Sequence, residues 1–177
     1  MLRIDSGKFK GRRLAENKYE HIRPTTDKVR QALFTKLQFF VPQKRVLDLF
    51  CGTGAMGIEA LSRGASEVVF VDKDYRSAQM TKTNLKNLGI NAKVNKCDAV
   101  TFLDKCDKQF DLIILDPPYK SGLYEKVLDK IYQKDLLADV GISVCEHAKE
   151  DVFEYKDFEV FDEKRYGTIM LTYLKYK

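Results

Sequence analysis

Residues 45–60, RVLDLFCGTGAMGIEA, carry the strand, glycine turn and helix from which the fold class follows. Arg45–Phe50 is apolar and β-branched enough for a strand. Gly52, Gly54 and Gly57 make a tight turn, and the spacing predicts a helix over Ala55–Ser62. Outward from this unit, strands and helices alternate. Further strands are predicted at Glu67–Asp72, Ala92–Asn95, Phe110–Leu115 and Ile142–Glu146. Helices are predicted at Tyr75–Leu88, Ala99–Leu103 and Leu123–Lys134. Near-continuous apolar strands such as LIIL at 112–115 suit a parallel sheet covered on both faces. The chain ends differently: Phe158–Arg165 and Thr168–Tyr176 flank Tyr166-Gly167 as an antiparallel hairpin. Upstream, Arg23-Pro24-Thr25-Thr26-Asp27 stops the chain and caps a helix. That helix carries Val29, Ala32, Leu33, Leu37 and Phe40 on one face, and Pro42 ends it. The expected fold class is α/β, a doubly wound, mostly parallel sheet with an antiparallel finish. Such sheets bind ligands at the carboxyl ends of their strands.

The chain has 177 residues, enough for one domain. Apolar residues make up 44% and aromatics 11%, as in folded globular proteins. No apolar run approaches the roughly 20 residues of a membrane span, and the opening MLRIDSGKFKGRRL lacks a secretory leader's apolar stretch. Cysteines at 51, 97, 106 and 145 form no C-x-x-C pair, so we expect reduced thiols in a cytoplasmic protein and no metal site. Disulfide scaffold, zinc ribbon and membrane protein are thereby excluded. Charge is uneven. Residues 1–45 carry twelve bases and four acids, a net of +8, whereas the remaining 132 carry a net of −3. Lys8, Lys10, Arg12 and Arg13, with Phe9 between two glycines, suit a short, turn-rich basic arm that meets a polyanion. The plain alternative is a solvated surface segment.

Taken literally, Gly52-x-Gly54-x-x-Gly57 followed by Asp72 is a dinucleotide fingerprint. Asp48 argues against that reading, because its carboxylate just before the loop would repel a pyrophosphate. S-adenosylmethionine carries a sulfonium, an α-ammonium, a ribose and an adenine, so acids suit it. Asp72 is placed to accept from both ribose hydroxyls. Asp98, before Ala99, is placed to accept from the adenine amine. Each acid alone could be a helix cap or a surface group; three at successive strand ends beside a glycine loop favour this cofactor over NAD.

The fourth strand ends in Asp116-Pro117-Pro118-Tyr119. Two prolines stiffen the turn, so Asp116, the Pro117 carbonyl and Tyr119 share one geometry. It fits methylation of an exocyclic amine, whose ring-delocalised lone pair needs orienting by two acceptors. Tyr119 offers a face for a base taken out of its stack. Carbon methylation of pyrimidines calls for a cysteine nucleophile, and none adjoins this turn. Cys97, Cys106 and Cys145 read as packing residues, and His21 and His147 as structural.

These residues together resemble a class I S-adenosylmethionine-dependent methyltransferase with a Rossmann-like core. More narrowly, the chain resembles the RsmD family, bacterial enzymes that methylate N2 of a guanine in 16S ribosomal RNA. The resemblance rests on Ser6-Gly-Lys-Phe-Lys-Gly-Arg12, Arg23-Pro24-Thr25, the segment from Val29 to Phe34, the loop through Ala65, Asp116-Pro-Pro-Tyr119 and Arg165-Tyr-Gly167. It implies that Arg23 and Thr25 close over the methionine end of the cofactor. Asp48, Cys51, Gly52, Gly54, Asp72, Asp98 and Ala99 would line its site, and Lys8, Lys10, Arg12 and Arg13 would grip RNA phosphates. Gln31 departs from the family, which usually has Glu there. One domain is expected, with a basic segment to residue 44 and the catalytic core from 45, acting as a monomer on ribosomal RNA or an assembling small subunit. Two rivals remain: a DNA adenine-N6 methyltransferase, which lacks room for a target-reading domain, and a non-catalytic RNA-binding assembly factor. A protein-glutamine methyltransferase would have Asn at position 116.

Overall fold

The computed structural model describes residues 1–16, 25–118 and 120–177, without the side chains of Thr25 and Thr26. In chain order the elements are α1 (Thr25–Lys36), β1 (Arg45–Leu49), α2 (Ala55–Ser62), β2 (Glu67–Asp72), α3 (Tyr75–Asn87), β3 (Lys93–Lys96), α4 (Ala99–Lys105), β4 (Phe110–Leu115), α5 (Leu123–Gln133), β5 (Leu137–Ala148), β6 (Phe158–Tyr166) and β7 (Ile169–Tyr176). The strands make one sheet in the order β3-β2-β1-β4-β5-β7-β6. β1 to β5 pair in parallel, and β7 runs antiparallel between β5 and β6. Strand order reverses between β1 and β4, so the crevice at their carboxyl ends is the ligand position of this architecture.

Burial explains the alternation. Val46, Leu47, Leu49 and all of Leu112 to Ile114 have no exposed surface, because helices cover both faces of the central strands. Val46, Ile114 and Val144 belong to a core shared with α1 and α2. Leu47, Leu49, Leu115 and Cys145 belong to the other, shared with α4 and α5. Side chains therefore change face at each residue, which fixes where strand-end groups emerge. Among the described residues, no helix is long and apolar enough to cross a membrane.

Two boundaries differ from expectation by more than two residues. β5 begins at Leu137, five residues before the apolar run at Ile142, because the chain bulges between the pairs Phe110↔Leu137 and Leu112↔Ile142. α1 ends at Lys36, so Leu37 and Phe40 lie beyond the helix, although Leu37 is buried in the α1/α2 core and Phe40 packs against it.

The basic opening segment is turn-rich, as expected, but folded against the domain rather than projecting from it. Arg3 bridges Arg13, and Ile4 and Leu14 bond across through Arg12 and Leu2. Leu2, Ile4 and Leu14 are buried in the α1/α2 core. The polar ties go to α2: buried Glu59 accepts from the Asp5 and Ser6 amides at 2.8 and 3.0 Å, and Ser62 Oγ accepts from Phe9 at 2.9 Å. Gly7 has a positive φ of 82°, and a Cβ there would lie 1.8 Å from the Ser62 carbonyl oxygen. Arg30 of α1, 2% exposed, completes the join. It donates to the Arg3 carbonyl at 2.7 Å, to Asp5 at 3.0 and 3.1 Å, and to Asp27 at 3.0 Å. Gln31 also donates to Asp5, at 3.1 Å, so the amide at this position adds a donor where a Glu would add a like charge.

Candidate active site

The loop after β1 is held from two sides. Phe50 and Cys51 amides donate to the Val71 carbonyl of β2 at 2.9 and 3.0 Å. From α3, Thr81 Oγ1 donates to the Gly52 carbonyl at 2.9 Å, and Asn84 Nδ2 donates to the Thr53 carbonyl at 2.9 Å. The glycines serve different ends. Gly52 has φ +55° and open space where a Cβ would stand, so a ligand can come close to its backbone. At Gly57, a Cβ would lie 2.3 Å from the Phe70 ring, so that glycine permits the packing of α2 on β2. Cys51 is buried with Sγ 3.5 Å from Thr81 Oγ1, and burial pushes its thiol up, away from a nucleophilic thiolate. Thr81 and Asn84 escape sequence reading because polar residues on a helix look like solvent-facing ones. The signal was there: they occupy the buried side of α3 with Ala78 and Leu85.

Asp48 lies beneath this loop. It is 2% exposed, and its Oδ2 accepts from the Gly57 amide at 2.8 Å. Burial raises its pKa to about 7, with the Gly57 hydrogen bond opposing and the charges of Asp116 and Asp72 assisting. Burial thus weakens the charge with which Asp48 would repel a pyrophosphate. Asp48 is partly protonated at neutral pH, and it acts chiefly by occupying an amide in the first turn of α2 that a phosphate would need. Asp72 ends β2, one oxygen accepting from Gly52 at 2.9 Å and the other from Asp74 at 2.9 Å. Asp98 is the N-cap of α4, its Oδ1 accepting from Val100 and Thr101 at 3.0 and 3.2 Å, with Ala99 buried behind it. Cys97 donates its amide to the Asp72 carbonyl at 3.0 Å, which joins the second and third strand ends.

At the end of β4, Asp116 is exposed and Pro117 buried. Asp116 makes itself felt at Asp48 and at Tyr124 of α5, whose hydroxyl is pushed up by burial first and this carboxylate second. Tyr124 donates to the Glu146 carbonyl at 2.5 Å, tying α5 to the end of β5. Buried Glu146 had not been singled out in the sequence. The carboxyl ends of β2, β1, β4 and β5 therefore bring Asp72, Asp48, Asp116 and Glu146 to one edge of the sheet. His147 is buried, its ring nitrogens 2.8 Å from the Ala148 carbonyl and from Thr172 Oγ1, a structural place as expected. Cys106 and Cys145 are buried, and Cys97 is half-buried. Thr25 opens α1. Arg23, His21 and Tyr119 lie outside the described residues. Lys8, Lys10, Arg12 and Arg13 are exposed on the N-terminal hairpin, and Arg12 donates to the Asn87 carbonyl at the end of α3, at 3.0 Å.

A family profile described as "Conserved hypothetical protein 95" matches residues 2–175. Ribosomal RNA small subunit methyltransferase D of Escherichia coli (strain K12) is 34% identical over 151 residues, covering 85% of this chain and 76% of that one. The chain belongs to the RsmD family. Its relative YlbH from Bacillus subtilis (strain 168) is 40% identical over 154 residues, 84% of each chain. The solved structure of yhhF from Escherichia coli, at 30% identity, superimposes with a TM-score of 0.89 over 99% of this chain and 98% of that one. The match extends through the N-terminal hairpin, so in this RsmD-family protein the hairpin belongs to the shared fold. The seven-strand, mostly parallel sheet is that of the class I methyltransferases.

Proposed function

We propose that the chain transfers a methyl group from S-adenosylmethionine to N2 of a guanine in small-subunit ribosomal RNA. The observation that carries this reading is the placing of an exposed Asp116, just after β4, beside the glycine loop that follows the adjacent strand β1. Open space over Gly52, the Asp72 carboxylate at its amide and Asp48 on the Gly57 amide fit a cationic, phosphate-free nucleoside. Family membership favours ribosomal RNA as substrate. When bound, S-adenosylmethionine supplies a methyl group activated by a sulfonium. Asp72 would hold the ribose hydroxyls, Asp98 the adenine amine, and Arg23 and Thr25 the methionine end.

The work of the protein is then positioning. Asp116 and the Pro117 carbonyl accept from the two N2 hydrogens, which turns the lone pair toward the methyl group; Asp116 takes the proton that N2 gives up. Tyr119 supports the flipped base, and Lys8, Lys10, Arg12 and Arg13 hold the flanking phosphates. The proposed partner is 16S RNA, naked or in an assembling particle, met by a single copy of the chain in the cytoplasm. Inosine at the target position tests the acceptor, since it removes only the amine. Methyl transfer to that RNA should vanish while binding persists. Methylation of the inosine itself would exclude N2.

A further inference from the structure

Three bases carry an exocyclic amine, and the turn at Asp116 can orient any of them. We propose that Glu146 selects guanine by accepting a hydrogen bond from its N1–H; this rests on the reading of N2 as the acceptor. β4 and β5 pair in parallel through Leu115↔Cys145, so Asp116 and Glu146 follow at the same level of adjacent strands. Side chains alternate between faces: Leu115 and Cys145 enter the α4/α5 core, while Ile114 and Val144 enter the α1/α2 core. Asp116 and Glu146 therefore leave on the Ile114/Val144 face, with backbones about 4.8 Å apart. Tyr124 senses both carboxylates, and its hydroxyl anchors the Glu146 carbonyl at 2.5 Å.

The two acids differ in a way that suits two tasks. Asp116 stands on a turn and is exposed, whereas Glu146 is 6% exposed on a strand paired on both sides, opposite Leu171 of β7. A group so fixed holds its geometry. Guanine presents two donors side by side on one edge, N1–H and the N2 amine. Adenine places the N1 acceptor beside its amine, and cytosine the N3 acceptor. A carboxylate next to the amine-binding Asp116 attracts the first pattern and repels the other two. Selection of this kind, by an acceptor left unmatched with the wrong base, discriminates strongly in a site from which water is excluded.

The test uses the full chain and RNAs with guanosine, 2-aminopurine or inosine at the target. 2-Aminopurine keeps the amine at C2 but has no hydrogen on N1. Wild type should methylate it with kcat/KM about 10- to 100-fold below that for guanosine. Glu146→Gln keeps an amide oxygen that can accept from N1–H but loses the charge, so it should lower the guanosine rate by about 3- to 10-fold and leave the 2-aminopurine rate unchanged or higher, because the Gln amide can turn its NH2 to the bare N1. A merely structural Glu146 would slow both RNAs alike. Equal wild-type rates on guanosine and 2-aminopurine, with inosine inert, would overturn this inference alone. Methylation of the inosine would overturn the N2 reading, and this inference with it.

Discussion

Asp48 holds a proton that an aspartate in water would have lost. In the unfolded chain its pKa is about 3.9; in the folded protein burial, and then the charges of Asp116 and Asp72, bring it to about 7. Below about pH 4 both states carry the proton, and the site costs nothing. Between pH 4 and 7 the unfolded chain releases it first, so stability falls as pH rises, then levels off above 7. The loss is on the order of 4 kcal/mol at most. Asn at position 48 can still accept from the Gly57 amide and carries no charge. Urea unfolding at pH 5 and pH 8 should therefore show a smaller difference for Asp48→Asn than for wild type; equal differences would mean the acid titrates normally. Asp116 is a different kind of residue, exposed and outside the loop. Asp116→Ala should keep S-adenosylmethionine affinity within a few-fold in titration calorimetry, yet slow transfer by roughly 100-fold. Near-normal turnover would remove it from the mechanism.

At the scale of elements, the N-terminal hairpin has two separable jobs. Its inner side supplies Leu2, Ile4 and Leu14 to the core and the partners of Glu59 and Arg30. Its outer side displays Lys8, Lys10 and Arg13. Replacing those three by Ala should leave the fold intact and flatten the salt dependence of RNA binding by about 2 units of log–log slope. An unchanged slope would make the hairpin's charge a solvated surface. Deleting residues 1–14 should act otherwise, stripping buried Arg30 of Asp5 and the Arg3 carbonyl and buried Glu59 of two amide donors, and lowering Tm by about 10 °C or more. Calorimetry that finds Tm unchanged would show that the hairpin is not needed by the core. A second element-level prediction concerns α2. Gly57→Ala forces a methyl against Phe70 and should cost about 1–3 kcal/mol of stability. Denaturant titration measures it, and a neutral result would mean that α2 can shift away from β2.

Across the whole molecule, what was legible in the sequence followed hydrophobic period and glycine position. β1, β2 and β4, α2 and the final hairpin emerged close to their predicted bounds because burial on both faces leaves a clear apolar run. Asp72 stands at the end of such a run and Asp48 within one, whereas Asp98 follows the polar strand β3 and is marked only by the helix it caps. Glu146 was hidden by the same rule: it reads as the last residue of a strand, and only the pairing of β4 with β5 sets it beside Asp116. Glu59, Ser62 and Asn84 were hidden too, since a polar helix residue shows its partner only when a distant segment is folded onto it. Those ties span 53 to 69 residues of chain. Their length has a consequence during synthesis. Synthesis from the N-terminus outward presents Leu2, Ile4 and Leu14 before their docking site on α2 and α3, which is translated only when residues 59–84 appear. At about 5–20 residues per second, the opening strand pair waits several seconds without its cover. In that interval its lysines and arginines help to keep the nascent segment in water.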